Sequence, residues 1–241
     1  MNMKNTILSS VLIVSSLVLL SLFSRLGGNS QDTHAQEKPP EKGEVMKEIT
    51  LPAAKKTGQM PLEEAIRKRK SVRKYSAKEL TPEQVSQILW AANGANPRPN
   101  FVARNVPSAG GIFPMTVYLL DKSGIYRYQP LNHSLALVKE GDQRKELSGA
   151  ALGQGAVSQA AIDLVITADV AKCAQRYKER APRYTDMEAG HIGQNVSLQA
   201  VSLGLATVMI GAFNDEAVTE VLGLTANEAP LYIIPVGYAG D

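Results

Sequence analysis

The chain has 241 residues, 44% of them hydrophobic, and a formal net charge of +3. That suits one globular domain of ordinary size with extra sequence at an end, and so small a basic excess gives no argument for nucleic acid as a partner. The single cysteine, Cys173, excludes an intrachain disulfide, and His34, His133 and His191 lie too far apart for metal-ligand spacing.

Behind Lys4 runs "TILSSVLIVSSLVLLSLFS", apolar and without charge until Arg25. Residues 1–35 therefore read as a signal peptide or an uncleaved N-terminal membrane anchor. "DTHAQ" offers a weak cleavage position after Ala35, and residues 6–24 form the tether if no cleavage occurs. The expected location is exported, periplasmic or extracellular, or membrane-anchored. Residues 36–59 form a polar, proline-bearing linker, within which "VMKEITLP" reads as an extended arm on the domain.

The globular part spans residues 60–241. "PLEEAIRKRKS" opens with proline, carries acids in its first turn and bases in its last, the charge order a helix dipole favours. "TPEQVSQILWAANGA" has Thr81 as N-cap, Pro82 at the first helical position and Gln84 three residues on, a capping box. Val85, Ile88, Leu89 and Ala92 form its apolar face. Next comes "VPSAGGIFP" at 106–114, two adjacent glycines between prolines at the mouth of a core strand. Adjacent glycines allow positive φ or close approach, at an entropic cost; a tight turn is the plainer reading.

"MTVYLLD", "KSG" and "IYRYQP" predict a hairpin, and "RKELSGAALGQGAVSQA" a glycine-interrupted helical stretch. "IDLVITADV", a near-continuous apolar run, predicts a central strand. "TDMEAGHIGQNVSLQAVSLGL" predicts a long helix capped by Thr185 or Asp186, with Ala189, Gly190 and Gly193 permitting close packing. His191, Gln194 and Asn195 share one face and are expected to serve packing or interface hydrogen bonding. "ATVMIGAF" reads as a strand running into a loop, "NDEAVTEVLGL" as a short helix capped by Asn214 or Asp215, and "PLYIIPVGY" as the last strand. Helices and strands interspersed without strict βαβ alternation predict an α+β fold, a mixed sheet flanked by helices.

Three distant segments are suited to an anion or a flat polar ligand. "RKRKSVRKY" gathers guanidinium forks and a small hydroxyl, although bases at a helix end also arise simply to complement the dipole. "VPSAGGIFP" exposes main-chain donors. "MIGAF", at 209–213, leaves a strand through glycine ahead of a helix, a geometry that aims backbone N–H groups outward.

Together with "LTPEQVSQILWAANG", "EAGHIGQN" and "PLYIIPVG", these segments resemble the nitroreductase family of flavoproteins, and within it the SagB-type dehydrogenase branch, over roughly residues 48–238. The resemblance implies a homodimer that binds FMN at its interface. Arg69 and Ser71, with Lys70 between them, match residues that hold the phosphate and ribityl chain. Arg73 matches a basic residue near the pyrimidine ring, where it would stabilise the negative charge of reduction. Pro107, Ser108, Ala109, Gly110 and Gly111 match the loop against the isoalloxazine ring. Met209 and Ile210 lead into Gly211 and Ala212, which match backbone donors facing N5.

There are two departures. Where azole-forming members carry a Lys–Tyr pair implicated in proton transfer, this chain has Arg176–Tyr177. Arginine does not readily yield its proton, which leaves Tyr177 as the candidate catalytic donor. The basic residues that classical members carry beyond the last strand have no counterpart in "PVGYAGD", so "RKRKSVR" is expected to supply most of the phosphate charge.

The activity implied is hydride transfer through flavin N5 between a two-electron donor, NAD(P)H among them, and a small acceptor such as a nitro compound or quinone. One alternative is an azoline-oxidase-like dehydrogenase acting on a modified peptide with O2 as acceptor, which the arginine disfavours. Another is an exported non-enzymatic domain with a degenerate flavin site, against which the intact segments speak.

Overall fold

A computed structural model describes residues 47–241. The leader or anchor read over residues 1–35 lies outside the described residues. In chain order the elements are β1 (Glu48–Thr50), α1 (Leu62–Lys68), α2 (Pro82–Asn93), a small hairpin of β2 (Ala95–Arg98) and β3 (Phe101–Arg104), and β4 (Met115–Leu120). There follow β5 (Gly124–Gln129), β6 (Ser134–Glu140), α3 (Arg144–Ala150), α4 (Gly155–Gln159) and β7 (Ile162–Asp169). The chain closes with α5 (Val170–Tyr177), α6 (Ala181–Ser202), β8 (Ala206–Thr207), α7 (Asp215–Leu222) and β9 (Glu228–Gly237).

Seven strands form one sheet in the order β1-β6-β5-β4-β7-β9-β8. Its ladders are antiparallel, and the parallel element that makes it mixed is a bridge between Ser71 and Thr207. β7 sits between β4 and β9, and it is mostly apolar because both its faces are covered. Leu164, Ile166 and Ala168 pack into a cluster with Ile88 and Leu89 of α2 and Ile192 and Val196 of α6. Val165 faces the opposite cluster, with Leu147 of α3, Val157 of α4 and Val218 of α7. The helices thus divide into two layers around the sheet.

The Thr81 capping box forms as its local chemistry dictates. The cap expected for the long helix does not. α6 begins at Ala181, with Pro182 in its first turn, and Thr185 lies a turn inside, its hydroxyl donating to the carbonyls of Ala181 and Pro182 at 3.2 and 2.8 Å. A proline needs no N–H partner in the first turn, so it moves the start upstream of the Thr–Asp pair. The arm also becomes part of the fold: β1 pairs with β6 as an edge strand, and Leu51 enters the core.

Candidate active site

The basic segment is aimed outward by two inward anchors. α1 stops at Lys68, and Arg69 leaves it at ψ 123°, its N–H donating to Ala65 O at 3.0 Å. The chain then runs extended beside β8, where Ser71 bridges Thr207 and the Val72 N–H donates to Thr207 O at 3.0 Å. Tyr75 is buried, and its hydroxyl reaches the carbonyls of Val72 and Pro235 at 2.8 and 3.2 Å. With Val72 and Tyr75 turned in, Arg69, Lys70, Ser71 and Arg73 are all exposed. Among the described residues none of these bases makes an ion pair.

Two residues beyond Thr207 the 209–213 loop begins. The strand expected over "ATVMIGAF" is shorter than its composition suggests: β8 ends at Thr207, and pairing resumes only where Ile210 and Ile233 exchange both main-chain hydrogen bonds at 2.9 Å. Gly211 and Ala212 then lift off into solvent. The loop is fastened beyond them. Gln154 Nε2 donates to Ala212 O at 2.9 Å and to Ala151 O at 3.0 Å, and Asn214 N–H donates to Ala150 O at 2.9 Å. Asn214 Oδ1 caps α7 by accepting from Ala217 N–H at 2.7 Å. The N–H groups of Gly211 and Ala212 donate to no described residue.

The glycine-rich loop hangs from buried Val106. Gly110 and Gly111 take φ of 60° and 66°, the left-handed region, inside a short turn closed by Gly111 N–H to Ser108 O at 3.1 Å. Ser108 Oγ accepts from Phe113 N–H at 2.9 Å. Pro107, Gly110 and Gly111 are exposed; Ser108 and Ala109 are half-buried. A Cβ on Gly110 would stand 2.7 Å from Tyr177 Oη and 3.0 Å from Arg176 Nη1. The glycine pair therefore meets two demands at once, positive φ and the close approach of the last residues of α5. Gly110→Ala is expected to lose about 1–2 kcal/mol from the backbone alone, with the contact to Tyr177 adding to that. A thermal unfolding curve that did not move would contradict this.

α6 is the frame on which these pieces meet. A Cβ on Gly193 would stand 2.9 Å from Met209 Sδ, so the start of the 209–213 loop rests directly on the helix. Five residues earlier, about 7.5 Å along the axis, Glu188 is 2% exposed and faces Ser108 of the glycine-rich loop and Lys172 of α5. Its Oε1 has no partner among the described residues. Burial pushes its carboxyl up to about 7, against the downward pull of the Ser108 hydroxyl and the Lys172 ammonium. Lys172 Nζ also reaches Phe113 O at 3.4 Å. At the start of α6, Tyr184 meets the Tyr177 ring edge to face at 4.9 Å. Asn195 stitches α6 to its neighbours, donating to the carbonyls of Ala91 and Asn105, both at 3.2 Å, while His191 and Gln194 are exposed.

The structure thus sets Ser71 beside Thr207, just ahead of Met209, and sets Gly110 against Tyr177, with both groups carried by α6. Glu188 and Gln154 were not singled out from sequence. Glu188 had a usable signal: it falls in the buried stripe Thr185, Glu188, Ala189, Ile192, Gly193 and Val196, where a carboxyl is out of place.

A model of the nitroreductase family matches residues 66–238. A protein of Methanocaldococcus jannaschii named as a nitroreductase is 39% identical over 201 residues, covering 81% of this chain and 98% of that one. The microcin B17-processing protein McbC of Escherichia coli is 27% identical over 161 residues, 61% of this chain and 58% of its own length. Among solved structures, one named as a nitroreductase from Ralstonia eutropha superposes with a TM-score of 0.74 at 30% identity, over 86% of this chain and 100% of that one. The NADPH:FMN oxidoreductase of Vibrio harveyi, complexed with NAD+, shares the fold at a TM-score of 0.56 and 24% identity, over 75% of this chain and 69% of that one.

Proposed function

The chain belongs to the nitroreductase family of oxidoreductases, and from that premise we propose that it is FMN-dependent, passing a hydride between a two-electron donor and a small acceptor such as a nitro compound or quinone. The observation that carries this reading is the pairing of exposed donors on neighbouring stretches of one edge. The unpaired bases and hydroxyl of Arg69, Lys70, Ser71 and Arg73 lie beside β8, and the free N–H groups of Gly211 and Ala212 follow it by a few residues. Such a donor set fits a phosphorylated, acceptor-rich cofactor.

In this reading Arg69, Lys70 and Ser71 hold the FMN phosphate and ribityl chain, and Arg73 offsets charge at the pyrimidine edge. Gly211 and Ala212 present N–H groups toward N5, and the loop of Pro107, Ser108, Ala109, Gly110 and Gly111 borders the ring. Tyr177, its hydroxyl beside Gly110, holds a proton for the substrate. FMN, when bound, supplies a two-electron carrier. A second copy completes the site. Leu62, Ile66 and Met187, 60%, 54% and 47% exposed on α1 and α6, form apolar surface that a homodimer would cover.

The N-terminal segment bears on the donor. Export, or tethering through residues 6–24 with the domain outside, separates the site from cytosolic NAD(P)H and requires a different reductant; a domain held inside keeps NAD(P)H available. The full chain, purified in detergent, is expected to be yellow and to release FMN on denaturation. Anaerobic bleaching by NADH or NADPH identifies the donor. A colourless protein that takes up no added FMN would refute the proposal. The likeness to McbC favours a second reading, oxidation of an azoline in a modified peptide, for which loss of two hydrogens from such a peptide is the diagnostic.

A further inference from the structure

We propose that Arg176 and Tyr177, set against Gly110, form a subsite for a carboxylate on the substrate. This deepens the redox reading above by naming a substrate class for the same site.

The argument starts from two donors with nothing to donate to. The Arg176 guanidinium is exposed and makes no ion pair or hydrogen bond with a described residue, and the Tyr177 hydroxyl likewise has no partner. Both converge on the position a Gly110 Cβ would fill, at 3.0 and 2.7 Å. A side chain there would push the two donors aside; only because Gly110 lacks one, at positive φ, do both close on the same point.

The pair is also pre-organised. The Tyr177 ring is held edge to face by Tyr184 at 83°, and the Arg176 guanidinium lies 5.7 Å from the Tyr177 ring, within cation–π range. The ordering cost of closing on a ligand is therefore partly met before binding.

Charge points the same way. From Asp169 to Asp186 the chain carries the five bases Lys172, Arg176, Lys178, Arg180 and Arg183 against the three acids Asp169, Glu179 and Asp186, and Asp169 is turned back to accept from Lys172 N–H at 2.8 Å. Glu188, the carboxyl that faces this region from α6, is buried beneath Ser108. Bases outnumber acids on this stretch by two. A guanidinium offers two parallel donors in a plane, which matches the two oxygens of a carboxylate, and the phenol adds a third donor. Arginine keeps its proton at any working pH, so position 176 attracts an anion and removes no proton.

Benzoate and its neutral analogue benzamide are the probes, titrated calorimetrically into the full-length protein. The parent is expected to bind benzoate in preference to benzamide. Arg176→Gln should weaken benzoate by about tenfold or more, the size of one lost charged hydrogen bond. Arg176→Lys, which keeps the charge and loses the fork, should fall between them. In turnover, the ratio of kcat/KM for para-nitrobenzoate over para-nitrobenzyl alcohol should drop about tenfold in Arg176→Gln through KM, as expected for lost ground-state binding. Equal binding of benzoate and benzamide, or an unchanged ratio in Arg176→Gln, overturns the subsite. The two readings fail separately. A preparation without redox activity that still binds benzoate through Arg176 keeps the subsite, and an active one indifferent to the carboxylate loses it.

Discussion

Replacing Arg69 and Ser71 together by alanine is expected to weaken FMN retention about a hundredfold to a thousandfold. A hydrogen bond from a charged group contributes about 1.5–3 kcal/mol and a neutral one about 1 kcal/mol, and each 1.4 kcal/mol is a factor of ten in Kd. The fold should tolerate both changes. Arg69 is exposed, and Ser71 is held by its main-chain bridge to Thr207 rather than through its side chain. Tyr75 and Val72, which anchor the segment, are untouched. Fluorescence titration of the apoprotein with FMN measures the effect directly. A double variant that held flavin as tightly as the parent, at an unchanged Tm, would remove the phosphate assignment, and the homology-based role of this segment with it.

The second large effect is a pH dependence. Glu188 has its pKa raised from 4.5 to about 7, chiefly by burial. The folded state therefore keeps a proton that the unfolded chain has already lost. Stability is greatest below about pH 4.5 as far as this group is concerned, falls as pH rises through the interval from 4.5 to 7, and levels off above it. Over that interval the loss is roughly 3 kcal/mol, at 1.36 kcal/mol per unit of pKa. Glu188→Gln keeps the shape and cannot ionise. It should unfold at about the same temperature as the parent at low pH and clearly higher at pH 8, with the slope between removed. Parallel pH profiles for the two proteins would contradict the assignment. Because Glu188 lies under Ser108, its ionisation near neutral pH also loads the glycine-rich loop with a buried charge. A local effect on that loop, read by hydrogen exchange at Gly110 and Gly111, should follow the same pH window.

The pair Arg176–Tyr177 changes what kind of chemistry position 176 can serve. A lysine there could exchange a proton; an arginine holds a permanent positive charge. Under the proposed function, discrimination among substrates comes from binding, and Tyr177 is the proton donor on this side of the site.

Much was legible in the chain order itself, wherever the determining contacts are local. The Thr81 capping box is one case: Thr81 Oγ1 accepts from Gln84 N–H at 3.3 Å and Gln84 Oε1 accepts from Thr81 N–H at 3.0 Å, all within four residues. The central position of β7 is another, since a strand covered on both sides is mostly apolar, here in Ile162, Leu164, Val165, Ile166 and Ala168. The three ligand-suited segments were legible as types, because guanidinium, hydroxyl and glycine carry their chemistry with them.

Other features follow from partners that a reading of caps and periods does not rank, some near in sequence and some far. Thr185 or Asp186 reads as a cap, but Pro182 in the first turn goes with a helix that starts four residues before Thr185, at Ala181. Strand β6, which ends in Lys139 and Glu140, is held by β5 and β1 on its two edges. In the β2–β3 hairpin, Pro97 lies within the paired strand opposite Val102, while Pro99 and Asn100 form the turn. Residue types and nearest-neighbour chemistry thus determined the cap of α2 and the buried strand. The seating of Met209 on Gly193, of Tyr177 on Gly110 and of Glu188 under Ser108 belonged to the tertiary structure alone, because a contact between separate elements of the chain leaves no period or spacing in it.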